Sequence, residues 1–184
     1  MSKRSRALWA GALAAVVLAA LSTVAIAAAR GVFHHGWRAP NGECTAPALE
    51  GSVVDVTATN MGGPMMGGAM MGGSARIYAM PAAVPAGIVS FRVANTGSLV
   101  HEFLVLPLAA GTHVGQRPVG TDDRVDEAGS LAEASQTCGA GAGDGIDSGA
   151  LGWVTVTLTP GHYELVCNLT GHYAAGMYTE LVVS

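Results

Sequence analysis

The sequence predicts an all-β domain, an antiparallel sandwich or barrel, carried behind an apolar N-terminal segment. Three observations lead there. Short runs of β-branched and aromatic residues alternate between apolar and polar, the period of a strand with one buried face. Clusters of Gly, Pro and Asn separate those runs. Beyond residue 29 helical periodicity is almost absent, and many short strands without helices make a sandwich or a barrel.

The elements follow in chain order. Residues 1–6 include Lys3, Arg4 and Arg6, and residues 7–29 carry no charge. A basic start followed by an apolar run reads as an export signal, with Ala25, Ala27 and Ala29 as small-residue cleavage positions. The run is also long enough to span a bilayer, so an uncleaved anchor with its positive end inside is the other reading. Both place the rest of the chain outside the cytoplasm, in the periplasm or at the cell surface. Residues 30–50 read as a polar linker, and its His34 and His35 as incidental to metal binding.

The domain proper spans 51–184, with a first strand expected over 52–59. Residues 61–73 form a low-complexity stretch: Met61, Met65, Met66, Met70 and Met71 stand among too many glycines for a stable helix or strand. Strands resume at 75–80 and 88–94, Asn95-Thr96-Gly97 turns the chain, and a strand follows over 99–106. Residues 107–150, rich in Gly, Asp, Ala and Ser, form an acidic insert with a short helix expected over 126–135. Strands at 153–159, 163–167 and 177–183 complete the domain.

Charge and cysteine content narrow the function. Beyond residue 29 six Lys and Arg face thirteen Asp and Glu, without a basic stripe, which argues against a nucleic-acid partner. Asp122, Asp123, Asp126, Glu127, Glu133, Asp144 and Asp147 fall in the insert. They read either as a solvated loop or as a docking surface for a cationic redox partner. Export permits a disulfide. If Cys167 binds metal, Cys44 and Cys138 are left as a pair.

The chemistry concentrates near the C-terminus, where Cys167, His172 and Met177 follow the pattern Cys-x4-His-x4-Met. Tyr163, Leu165 and Cys167 share one strand face, and Met177 opens an inward row with Leu181 and Val183. His172 lies between them in the connection. On the earlier strand His101 shares a face with Phe103 and Val105, which sets it at the rim of the same core. Zinc favours closed sites without thioether. Calcium and magnesium want oxygen ligands. Two imidazoles, a thiolate and a weak axial thioether suit copper that changes by one electron.

Two segments, "GSLVHEF" and "GHYELVCNLTGHYAAGMY", give the region from about residue 51 to 184 its resemblance to a cupredoxin. The Cys-x4-His-x4-Met loop is similar to those of rusticyanin and sulfocyanin. The resemblance implies a Greek-key β-sandwich holding one type 1 copper, with His101 and His172 as imidazole ligands, Cys167 as thiolate and Met177 as axial ligand. It implies electron transfer with a redox protein such as a cytochrome or an oxidase, and no enzymatic activity. The residues agree with the last point: no nucleophile–base motif, phosphate loop or His-x-His pair is present. The methionine stretch supports an alternative, a homeostasis protein that captures or delivers Cu(I). Asn95 is expected to hold ligands in place through hydrogen bonds, and Asn168 reads equally as such a support or as a turn residue. His113 and His162 read as loop and turn residues, Trp153 and Tyr163 as core aromatics.

Overall fold

The computed structural model describes residues 44–60 and 75–184. The expected signal or anchor, residues 30–43 of the linker and the methionine stretch lie outside the described residues. The described chain is all-β, with ten strands: β1 (Ser52–Thr59), β2 (Arg76–Met80), β3 (Ala83–Val84), β4 (Gly87–Asn95), β5 (Phe103–Pro107), β6 (Ala132–Ala134), β7 (Gly139–Ala140), β8 (Leu151–Leu158), β9 (Gly161–Val166) and β10 (Tyr178–Val183).

The strands form two five-stranded sheets, ordered β2-β1-β4-β8-β7 and β3-β10-β9-β5-β6. Both are mixed. β1 runs parallel to β4, β7 to β8 and β3 to β10, and the other pairs are antiparallel. The expectation of a purely antiparallel arrangement is corrected at those three pairs. The crossovers that bring β4 beside β1 and β8 beside β4 are those of a Greek-key sandwich rather than of a simple meander.

Alternation decides what lies between the sheets. Val54, Val56 and Ala58 of β1 and Val89, Phe91 and Val93 of β4 share a buried cluster with Phe103, Val105, Tyr163, Leu165, Leu181 and Val183 of the second sheet. Phe91 and Phe103 meet with ring centroids 5.0 Å apart. Each large side chain removed from water here contributes about 1.5–3 kcal/mol. Cys167 and Met177 belong to the same cluster, so the sulfur pair sits at the end of the core.

The second sheet is buried on its outer face as well. Leu104, Leu106 and Val166 pack there with Val125 and Tyr173. This explains why β5 is apolar on both faces: the insert covers it. The helix expected over 126–135 does not form. Gly129 takes a φ of +85° and Ser130 N–H closes a turn onto Glu127 O at 2.8 Å. Residues 132–134 instead pair with β5 as β6. The strand expected over 99–106 starts later, at Phe103, and His101 makes only an isolated bridge with Ile146. Cys44 and Cys138 form a disulfide with a Cα–Cα distance of 5.4 Å, as the cysteine count anticipated.

Candidate metal centre

Three candidate ligands converge at one end of the sandwich. His101 Nδ1 lies 3.3 Å from His172 Nδ1 and 3.9 Å from Cys167 Sγ, and His172 Nδ1 lies 3.2 Å from the same sulfur. Metal–nitrogen bonds of about 2.0 Å and a metal–sulfur bond of about 2.3 Å in a trigonal plane require edges of about 3.5 and 3.7 Å. The triangle therefore has the dimensions of a three-donor metal site. His101, Cys167 and Met177 are fully buried, whereas His172 is half-buried. Met177 is tied in through its backbone: its N–H donates to His172 O at 3.1 Å, and its carbonyl accepts Cys167 N–H at 3.0 Å.

Local structure accounts for the convergence. Cys167 follows the last residue of β9 and Met177 precedes the first of β10, so the antiparallel pair holds both ends of the connection. Between them the chain turns tightly. Gly171 and Gly176 take φ of +79° and +97°, which side-chain-bearing residues rarely adopt. Ala175 N–H donates to Gly171 O at 3.0 Å. The second element, the 95–101 loop, is held by Asn95. Its Nδ2 donates to Leu99 O and Ile146 O at 2.7 and 2.8 Å, and its Oδ1 accepts Gly97 N–H.

The protonation states suit metal binding. Burial, and then the neighbouring His172, push the His101 pKa down to about 4. Burial lowers His172 also. Both imidazoles are thus neutral at ordinary pH with lone pairs to offer. Burial pushes the metal-free Cys167 thiol up to about 12, against the backbone N–H groups of Glu102 and Leu169 that favour its thiolate. A soft cation is the counter-charge that such a buried thiolate needs.

Asn168, expected to help hold the site, does more than a turn residue does. Its side chain accepts Val125 N–H at 2.8 Å and donates to Val125 O and Glu127 Oε1, fastening the Cys167 loop to the insert. Gly171 N–H donates to Asp123 O at 2.9 Å. The acidic stretch 122–127 therefore runs directly beside the loop bearing His172. Two residues escaped the sequence reading. Glu102 N–H points to Cys167 Sγ at 3.4 Å and its carboxyl accepts Asn168 N–H at 3.0 Å. Burial, then Glu127, raise its pKa to about 7. A charged residue inside the apolar 99–106 run was the available signal. Asn60, whose Oδ1 lies 3.4 Å from His101 Nε2, gave none, being 41 residues away in the chain. Of the other histidines, His113 is exposed, and His162 is exposed on β9 and pairs with Glu180 at 2.7 Å; neither meets the triangle.

A sandwich that gathers two imidazoles, a thiol and a thioether at one end defines the blue-copper class of protein. The model of the sulfocyanin (SoxE) domain matches residues 53–184, and the chain belongs to that family, one of cupredoxins that generally carry electrons. Similar solved structures include auracyanin from Roseiflexus castenholzii, 17% identical over 74% of this chain and 99% of that one, with a TM-score of 0.45. Reduced rusticyanin is 23% identical over 73% of this chain and 81% of its own, with a TM-score of 0.44. Auracyanin A, a blue copper protein of Chloroflexus aurantiacus, is 16% identical over 72% and 98%, also with a TM-score of 0.44. No curated protein matches the chain.

Proposed function

We propose that this protein is an extracytoplasmic one-electron carrier that holds a single copper through His101, Cys167, His172 and Met177. The observation that carries the reading is the triangle of two Nδ1 atoms and one Sγ, with edges of 3.2–3.9 Å, at the end of a closed core. Bound copper supplies a one-electron couple; the chain supplies everything else. His101 and His172 present neutral nitrogens, Cys167 the thiolate and Met177 a weak fourth donor. The clamps from Asn95 and Asn168 hold the donors in one arrangement, so little need move when the charge changes. The buried core excludes water from three of the four. The half-buried His172, beside exposed Ala174 and Ala175, is the route by which an electron would pass.

The partner is a redox protein with a cationic face, such as a cytochrome or an oxidase subunit, since Asp122, Asp123 and Asp126 are exposed next to the His172 loop. Residues 1–29 serve as the export signal or membrane anchor, residues 30–50 as linker and residues 51–184 as the copper domain, with the methionine stretch 61–73 and the insert 107–150 as its additions. The role is that of a carrier, not an enzyme. Adding Cu(II) to the purified domain is expected to produce an intense visible charge-transfer band that Cys167→Ser abolishes. A colourless product, or a band that survives the substitution, overturns the proposal.

One observation favours a second role, Cu(I) capture by the five methionines between 61 and 71. The described residues nearest that segment abut the site: Asn60 lies beside His101, and Arg76 Nη1 donates to Ala175 O at 3.1 Å. Replacing the five methionines by leucine in a Cys167→Ser background is expected to weaken Cu(I) binding. Unchanged Cu(I) affinity removes this role.

A further inference from the structure

A neutral imidazole has one N–H and one lone pair, so a histidine that offers Nδ1 to a metal must carry its proton on Nε2. At His101 the acceptor that decides this is a side chain from the far end of β1. Asn60, the residue after β1, places its Oδ1 3.4 Å from His101 Nε2. The identity of that atom as oxygen follows from its other partners. It accepts backbone N–H from Ser98 at 2.7 Å and from Leu99 at 3.2 Å, while Nδ2 donates to Ser98 Oγ at 3.0 Å. A flipped amide would set an NH2 group against two N–H donors. The approach is possible because residue 97 is glycine. A Cβ there would lie 2.1 Å from Asn60 Oδ1 and 2.9 Å from His101 Nε2. The remaining face of His101 is turned to Cys167 and His172 through Nδ1.

We propose that Asn60 is a positioning residue: it accepts the Nε2–H of His101, fixes that tautomer before metal arrives, and so leaves the Nδ1 lone pair aimed at Cys167 and His172. The inference rests on His101 being a ligand. Gly97 is the space that the arrangement requires. The glycine of the Asn95-Thr96-Gly97 turn is therefore held by contact with the site and not by turn geometry alone. Outer hydrogen bonds of this kind typically change metal affinity about 10- to 100-fold when removed.

The test is nitrogen-detected histidine NMR on the metal-free, 15N-labelled protein at neutral pH, with copper affinity measured alongside. Wild type is expected to show His101 wholly as the Nε2–H tautomer. Asn60→Ala should show a mixture of tautomers and about 10- to 100-fold weaker copper binding. Asn60→Asp, which keeps the acceptor oxygen, should restore the tautomer. Ser98→Ala removes only the Asn60 Nδ2 contact and should leave the tautomer as in wild type. Protonation of wild-type His101 on Nδ1, or an unaltered Nε2–H tautomer in Asn60→Ala, overturns the proposal. The wild-type spectrum alone can do so if Asn60→Ala does not fold. The NMR readout needs no metal, so it fails independently of the copper reading, which fails only if wild type does not bind copper.

Discussion

His101 and Cys167 show what burial does to single groups at the site. Burial, and then the neighbouring His172, push the metal-free His101 pKa down from the ordinary 6.5 of histidine to about 4. Between those values the unfolded chain binds more protons than the folded one, so stability rises with pH there. This contribution is fully present above 6.5 and is lost as pH falls through about 4. Histidine NMR of the metal-free protein should give a His101 midpoint near 4; a midpoint at the ordinary 6.5 of an exposed histidine would contradict this effect of burial. Cys167 behaves oppositely. With its pKa pushed to about 12, the metal-free thiol is protonated at neutral pH and must lose its proton when a metal binds. Calorimetric titration with copper in buffers of different ionisation enthalpy should report release of about one proton. No proton release would place the metal elsewhere than on this sulfur.

At the scale of elements, the insert frames the site. Glu164 on β9 is fully buried and is paired by Arg117 Nε at 2.6 Å, Gly115 N–H at 2.6 Å and Tyr173 O–H at 2.9 Å. The same Tyr173 follows His172 in the chain, so the cluster ties loop 108–118 to the candidate ligand loop. Arg117→Met removes the partner of a buried carboxylate and should cost about 3–5 kcal/mol of unfolding free energy in denaturant titrations. A loss below about 1 kcal/mol would mean that Glu164 is already satisfied by its neutral donors. This frame was the least legible part of the sequence. β1, β8 and β10 announced themselves because one face is more buried than the other and period two follows. β6 and β7, of three and two residues, are too short to show a period. The acidic residues of the insert drew attention from Val125, Ala134 and Ile146, which are buried and close the two cores. The expected helix rested on local composition, and pairing with β5 overrode it.

For the whole molecule, the sequence carried the architecture and the candidate site because the chemistry needs rare residue types in a fixed order. Cys167, His172 and Met177 lie on one connection, and His101, two residues before β5, closes the same end of the shared core. The supports were hidden for the opposite reason. Asn60 and Glu102 act through contacts that span 41 and 66 residues of chain, and neither spacing repeats a pattern. The net charge has a consequence at this scale too. With thirteen acidic residues against six basic ones beyond residue 29, encounter with a cationic partner should be steered electrostatically. Electron-transfer rates measured by stopped flow with a basic cytochrome should fall as ionic strength rises. A rate indifferent to salt would assign the acidic insert to solubility alone.

One copper held by four side chains underlies the proposed role. A crystal structure of the copper-loaded domain, with the metal located by its anomalous scattering, tests this most directly. The predicted result is a single copper bonded to His101 Nδ1, Cys167 Sγ and His172 Nδ1, with the Met177 sulfur as a longer fourth contact. Copper seated among the methionines of 61–71, with the triangle of His101, Cys167 and His172 empty, would contradict it.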